Sequence, residues 1–479
     1  MKMNPKKNLF TNKLLRQSVG LLGLAVALSS CEKMAVQQGE IMQDARLLAF
    51  PGAEGFGKYA LGARGAENPS IYIVNNLNDS GPGSFRDAVS QPGRFVVFAV
   101  SGIIRLQSNL SVAANTTIAG QTAPGKGVVL YGRKATFTGA NNSITRYLRI
   151  RLGVNGGASR NDDASGVANG KNMIFDHVSF SWGQDEVFSI NWDSKGFEPD
   201  SITIQNSIIG QGLHRHNHSA GGLIQTSNGK ISILKSLYTS NKTRNPKVKG
   251  YNEFVNNVVY NWGNLDNPMG HTVSGDAYIM GGSAGISQVN VINNYFVSGP
   301  LTPSKTTPFS RGTGTFYLYA AGNYFDANKN GLLDGNLVPV DSMGYPGLAD
   351  SNFMSQAFSY PLSQPSMTAA QAFDYVSQQA GAIQPQRDEV DQLMIAELRS
   401  KGEKGRYIYT ESDVSLPNDG LGNYPAVTPP KDTDSDGIPD VWEENFGLNK
   451  NDQSDALLPS SGQPGYLNIE VYINALASQ

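Results

Sequence analysis

The sequence predicts an all-β fold, a right-handed parallel β-helix, with a helical extension and a small acidic module after it. Three observations predict this. Short strand-like runs with similar endings recur from about residue 115 to 325, among them NTTIAG, NMIFDHVSFSW, DSITIQNSIIG, NEFVNNVVYNWG and VNVINNYFVSG. Their steps fall mostly in the range of one solenoid coil, roughly 20 to 40 residues. No helical pattern separates them, which argues against βαβ units, and a sandwich would space its strands more closely. Asparagine also recurs at similar places, at Asn206, Asn257, Asn294 and Asn323. Stacked coils can align such amides in a hydrogen-bonded ladder.

The elements follow in order. Residues 1–31 carry Lys2, Lys6, Lys7, Lys13 and Arg16, then the apolar run VGLLGLAVALSS and Cys31, the only cysteine of the chain. A basic head and a short apolar core describe an export signal, too short for a good membrane-spanning helix. Leu28, Ser29, Ser30 and Cys31 resemble the lipobox of bacterial lipoproteins, in which the cysteine is lipidated. An ordinary cleaved signal is the alternative. A polar tether (32–46) precedes the solenoid (47–345), whose 53 glycines chain-wide and 16% charged residues suit many tight turns. In the extension (346–415), MTAAQAFDYVSQQAG and RDEVDQLMIAELRSKG have helical spacing, the second with a glycine stop. They are expected to cover the open C-terminal end of the solenoid. A linker rich in Pro, Gly and Asn (416–431) leads to the terminal module (432–479).

That module opens on DTDSDGIPDVWEE. Asp432, Asp434, Asp436, Asp440 and Glu443, with Gly437 at the sharp turn, match an EF-hand-like, thrombospondin type 3-like loop for Ca2+. DANKNGLLD (Asp326, Asn328, Asn330, Asp334) is a weaker echo with Leu337 in place of the final Glu, and reads better as a turn. His214, His216 and His218 would share one side of an extended strand, but without Cys or H-E-x-x-H they make a poor zinc site.

The central segment holds two acidic pairs, Asp162 with Asp163 and Asp185 with Glu186, on either side of IFDHVSFSW. If the intervening strand turns back along the solenoid, the pairs meet on one lateral face. Such carboxylates suit a divalent cation or general acid/base work, or merely solvate loops; spacing alone leaves these open. Asp176 shares strand parity with Ile174, Val178 and Phe180, so Asp176 and His177 read as a buried polar network rather than catalysts. NKTRNPKVKG places Lys242, Arg244, Lys247 and Lys249 two coils later. Formal net charge is only -2, so nothing points to nucleic acid. Cations beside a bound metal would still make a local trap for an acidic polymer.

AFPGAEGFG, NDSGPGSFRDAV, FDHVSFSWGQDE, RNPKVKGYNEFVNNVVYNWG and DTDSDGIPDVWEENFGLN together resemble pectate lyases of polysaccharide lyase family 1. The nearest likeness is to secreted lyases of Bacteroidetes-type bacteria, and it spans about residues 48 to 450. The resemblance implies a right-handed parallel β-helix, calcium-dependent β-elimination and homogalacturonan as substrate. It places Asp163 and Asp185 at calcium-ligand positions, with Asp162 and Glu186 as substitutes where the family has carboxylates and this chain has Asn161 and Ser189. It matches Arg244 to the base that removes the C5 proton. Lys249 stands where a second arginine is usual, and His218 or Ser219 where a lysine is expected, with Lys247 and Lys242 as further substrate-binding cations. His218 is the alternative base. Two other classes stay open: a β-helix hydrolase giving saturated products, and a surface glycan-binding solenoid without turnover. The expected setting is an exported monomer, held by a lipid anchor at the cell surface or outer membrane, or periplasmic.

Overall fold

The computed structural model describes residues 46–281 and 284–478; the export signal, Cys31 and nearly all of the tether lie outside them. Strands stack in two sheets of 16 and 10 strands. Pairing is parallel throughout except where Tyr324–Asp326 meets Asn336–Leu337. The larger sheet supplies two faces of a three-sided solenoid. Leu223–Leu234 and Lys247–Val255 run across the corner between them, with a register shift between Gln225 and Lys230. The first face stacks Ala135–Thr136, Ser165–Val167, Phe188–Asn191, the starts of the two long strands, and Tyr278–Met280. The expected parallel β-helix is thus the architecture.

Six successive coils turn at a residue in the left-handed region. Tyr147, His177, Asn206, Lys235, Asn256 and Asn293 all have φ between 51° and 56°. Asparagine tolerates this conformation better than most residues. The next residue faces inward in each; it is apolar in the first two, Leu148 and Val178, and builds the ladder in the later ones. Asn323 accepts from the Asn294 amide at 2.9 Å, and Asn294 from the Asn257 amide at 3.2 Å. Ser236 N donates to Asn257 Oδ1 at 2.9 Å, and Ser207 N to Ser236 Oγ at 3.1 Å. Asn206 is therefore a turn residue and not the rung expected of it; Ser207 takes that place.

The interior is apolar and close-packed. Phe180 and Phe188 lie 4.4 Å apart between centroids, and Phe175 and Phe188 5.2 Å. The N-terminal end is covered by the short helix Phe85–Ala88, capped by Ser84. At the other end Val338, Tyr345 and Leu348 join the core. AFPGAEGFG lies along the outside of the second face, where a Cβ on Gly57 would stand 2.2 Å from Met173 O. Only glycine permits that approach.

Both expected helices form, as Ala369–Gln379 and Glu389–Arg399, with Thr368 and Asp388 as N-caps. They do not cover the solenoid's end. Phe373, Val376, Val390, Met394 and Leu398 pack sideways on the outside of the third face, against Ile208, Leu237, Val258 and Val297. That face carries outward apolar residues, and burying them outweighs covering an end that Tyr345 and Leu348 already close. The terminal module lies on the second face, where Ile438, Ile469, Tyr472 and Ile473 meet Phe95, Val97 and Ala119. No described helix is long and apolar enough to cross a membrane.

Candidate active site

Three turns stack just before the strands of the first face. Glu186, Ala220 and Thr243 pair in parallel register, one coil apart each. This brings Asp185 and Glu186, His218, and Arg244 onto one lateral edge. The loop that bears Arg244 is fixed from beneath. Asn241 Oδ1 accepts from Gly212 N at 2.9 Å, its amide donates to Asn245 Oδ1 at 3.0 Å, and the Asn245 amide reaches Asp276 O at 3.2 Å. Arg244 itself has φ of 56°, uncommon for a long side chain and a conformation that surrounding contacts must hold.

The charges interlock. Arg244 is ion-paired with Glu186, whose residue is 5% exposed. Asp185 Oδ1 lies 2.6 Å from His218 Nε2. Asp163 accepts from Lys134 Nζ at 2.9 Å and, through its other oxygen, from Glu186 N at 3.1 Å. Donor atoms of Asp185, Glu186 and His218 fall within 4.8 Å of one another. Contact with His218 holds the Asp185 carboxyl below its ordinary pKa. Burial pushes Asp163 up, and Asp185 and Asp162 add to this against the pull of Lys134. For Arg244, burial pushes the guanidinium pKa down and Arg311 adds to this; Asp185 and Asp163 oppose them, and the pKa stays lowered.

The expected residues are not all in this cluster. Asp162 turns back to accept from Ser159 N at 2.7 Å, while its carbonyl takes the Gln184 and Asp185 amides. Lys242 is 9% exposed, with its ammonium given to Asn217 O at 2.9 Å and Asn217 Oδ1 at 2.6 Å. It ties down the loop ahead of His218 and is not on the open face. Lys247 and Lys249 flank the core residue Val248 on one strand and therefore point outward. Ser189 Oγ accepts from Leu223 N at 3.0 Å. Sequence reasoning missed Lys134 and Arg311. Arg311 is 58% exposed and held by Asp276 Oδ2 at 2.7 Å.

Other motifs resolve as scaffold. Asp176 Oδ1 accepts from His177 Nδ1 at 2.9 Å, the Gln205 amide at 2.9 Å and the Asn206 amide at 2.8 Å, and Oδ2 from Arg146 at 2.9 Å. His214 and His216 sit on a 3-10 turn, not on an extended strand. His214 is buried against Tyr407, and burial lowers its pKa to about 4. The Asn328 and Asn330 amides each donate to Asp334 at 2.9 Å, closing that loop as a turn. A cleft of about 700 Å³ away from this edge is lined by Lys305, Phe325, Asn336 and Met343. The charged edge faces solvent in part, with the side chains of Asp185, His218 and Arg244 36%, 39% and 26% exposed.

No family model matches the chain. Solved structures with some likeness include the cedar pollen allergen jun a 1, at TM-score 0.46 and 18% identity over 69% of this chain and 92% of that one. Another is a pectate lyase from a Bacillus species in complex with trigalacturonate, at TM-score 0.42 and 18% identity over 69% of this chain and 98% of that one. Sequence relatives are much nearer, and the ones found are fungal. Proteins named "Probable pectate lyase C" from Aspergillus flavus and Aspergillus fumigatus are each 48% identical over 430 residues, covering 90% of this chain and 94% of theirs. With that identity over nearly the whole length of both partners, the chain belongs to the pectate lyase family and is a polysaccharide lyase.

Proposed function

We propose that this protein cleaves α-1,4-polygalacturonate by calcium-dependent β-elimination, releasing unsaturated oligouronides. The observation that carries the reading is the pairing of an acidic cluster with Arg244 on one open edge: Asp185 and Glu186 one coil from His218 and two from Arg244. Oxygen donors from Asp163, Asp185 and Glu186 suit a hard cation such as Ca2+, and the Asp185 side chain is 36% exposed to receive one. When bound, the cation would draw electron density from the uronate carboxylate and so acidify the neighbouring C5 proton.

The chain's own groups do the rest. Lys247 and Lys249 point outward on the strand three and five residues beyond Arg244, and would hold uronate carboxylates along the charged edge. A lysine makes one flexible point contact where an arginine would grip a carboxylate with two. Arg244 removes the C5 proton, and the C4 glycosidic oxygen leaves as the C4–C5 double bond forms. An arginine base is unusual because the guanidinium is ordinarily protonated at any neutral pH. Burial and Arg311, which lower its pKa, work in the needed direction.

We also read Leu28–Cys31 as a lipobox on an exported protein, from the basic head and apolar run before it, and the enzyme as a monomer. The test of the reaction is ultraviolet absorbance during incubation with polygalacturonate. A rising signal that needs added calcium is expected. No new unsaturated product from neutral to alkaline pH would refute the assignment.

A further inference from the structure

We propose that the C-terminal segment holds a second, non-catalytic calcium site, formed by Asp432, Asp434, Asp436, Glu443 and Asp455, which staples this segment to the first coils of the solenoid. It is separate from the lateral groove and independent of the reaction proposed above. Carboxylate oxygens of Asp432, Asp434 and Asp436 lie within 4.8 Å of one another, as do those of Asp436, Glu443 and Asp455. Asp436 is common to both sets, so the two sets adjoin through it.

The decisive observation is what these oxygens lack. Glu443 is 0% exposed, and neither of its carboxylate oxygens has a hydrogen-bond partner. Asp436 is 1% exposed with Oδ2 unpartnered; both oxygens of Asp434 and Oδ1 of Asp455 are likewise buried and unpartnered. Burying carboxylate oxygens without partners costs several kcal/mol, and like charges at this spacing add to it. A cation at the centre offsets both. All the donors are hard oxygens with no His or Cys among them, which favours Ca2+ over zinc, and five carboxylates exceed what Mg2+ usually takes from a protein.

The remaining hydrogen bonds orient the donors. Asp432 accepts from Ser435 N at 2.8 Å and from Gly437 N at 2.9 Å, folding the loop around its first ligand. Gly437 has φ of 88°, and a Cβ there would stand 2.8 Å from Val97 Cγ2. The loop can therefore turn and touch the solenoid only with glycine at this position. Asn449 N donates to Asp455 Oδ2 at 2.7 Å, leaving Oδ1 for the cation. Asp440, expected as a ligand from the sequence, is excluded. It accepts from Lys431 Nζ at 2.9 Å, Thr433 N at 2.7 Å and Thr433 Oγ1 at 2.8 Å. Asp455 takes part in its stead, from beyond the twelve-residue motif.

The cation would join three pieces of chain: the 432–437 loop, the helix Asp440–Phe446 and the turn Asp455–Leu457. Ile438, between the loop and the helix, and Ala456 of the turn, each 0% exposed, enter the cluster with Phe95, Val97 and Ala119 of the second face. Removing the cation should therefore loosen the clamp on the early coils while leaving the groove's own residues in place.

The experiment uses the full chain with Asp455→Asn, and separately Glu443→Gln, compared with Asp185→Asn in the groove. Each is titrated with Ca2+ by calorimetry, melted with Ca2+ and with chelator, and titrated with Tb3+ under excitation of Trp442, next in sequence to Glu443. The expected results are loss of one equivalent of bound Ca2+, loss of the calcium-dependent Tm shift and loss of sensitised Tb3+ emission in the C-terminal variants. Asp185→Asn should keep the Tb3+ emission and the Tm shift. Asp455→Asn relieves charge repulsion, so it is expected to fold without the cation. Unchanged stoichiometry and an unchanged Tm shift in both C-terminal variants would overturn the proposal. So would loss of the Tb3+ signal in Asp185→Asn alone.

Discussion

Arg244 and Glu186 are ion-paired across two coils of the solenoid, with Glu186 in the inner, buried half of the pair. The pairing aims the guanidinium along the groove edge, and the left-handed φ of Arg244 fixes its starting direction. A proton-transfer group in this setting is worth roughly a hundred- to ten-thousandfold in rate. Arg244→Ala should lower kcat on polygalacturonate by that order, read on the folded fraction because the buried Glu186 carboxylate loses its cation and Tm falls as well. Arg244→Lys restores the charge but not the planar fork, and should recover only a small part of the activity. Initial rates of ultraviolet absorbance at saturating calcium make the measurement.

His218 and Asp185, 2.6 Å apart, separate two possible bases. If Arg244 removes the proton, His218→Ala should retain the rise of kcat toward alkaline pH. Disappearance of that limb would make His218 the base instead. On the proposed reading Asp185→Asn would remove a carboxylate oxygen from the cation's shell, so the free calcium needed for half-maximal rate should rise, by about ten- to a hundredfold. Both variants are read as rate against pH and against buffered calcium.

How far the sequence could be read depended on whether a feature was repeated along it. Coil after coil restates the same strand and turn, so the solenoid was legible, and so were both helices through Thr368 and Asp388 at their N-caps. Asn206 was assigned one position out because turn residue and ladder residue are neighbours and asparagine suits both. Where the helices dock was not legible, since Arg149 and Arg151, which receive the second helix, look in sequence like ordinary strand residues. Lys134, Arg311 and Asp455 come from coils or loops outside the motifs they complete. Only the coil register could have brought Lys134 to Asp163 and Arg311 toward Arg244.

Glu253 gives the fold a pH dependence unrelated to catalysis. It is 0% exposed, accepting from Ser232 Oγ at 2.6 Å and Leu362 N at 2.9 Å. Burial outweighs these bonds and pushes its pKa up to about 7 from 4.5. A raised carboxyl pKa means the folded state binds the proton more tightly than the unfolded chain. Its contribution is fully present below pH 4.5 and is lost as pH rises through 7, a change on the order of 3 kcal/mol. Glu253→Gln should flatten this part of the Tm profile between pH 4.5 and 7, relative to the parent protein. An identical slope in both proteins would show that other groups carry it.

The third face is joined to the second helix by a fully buried ion cluster, and this gives the sharpest stability prediction. Arg151 donates to Asp388 Oδ2 at 2.6 Å, to Asp388 Oδ1 at 3.0 Å and to Asp391 Oδ1 at 2.9 Å. Both Arg151 and Asp388 are 0% exposed at their side chains. Burial alone would raise the Asp388 pKa; Arg151 and Arg149 outweigh it and hold the carboxyl well below its ordinary range. Arg151→Met would leave the acidic side of the cluster uncompensated, with Arg149 3.4 Å from Asp388 as the remaining cation. Breaking such a pair costs about 3–5 kcal/mol, whereas replacing the whole cluster by apolar side chains of similar volume is often neutral. Arg151→Met should therefore lower stability by that amount, and adding Asp388→Leu should recover part of it, less the N-cap that Asp388 supplies through Asp391 N at 3.0 Å. Denaturant melts of the single and double variants measure this. Because the groove lies on the first face and this cluster on the third, kcat of the folded fraction should be the same in all three proteins.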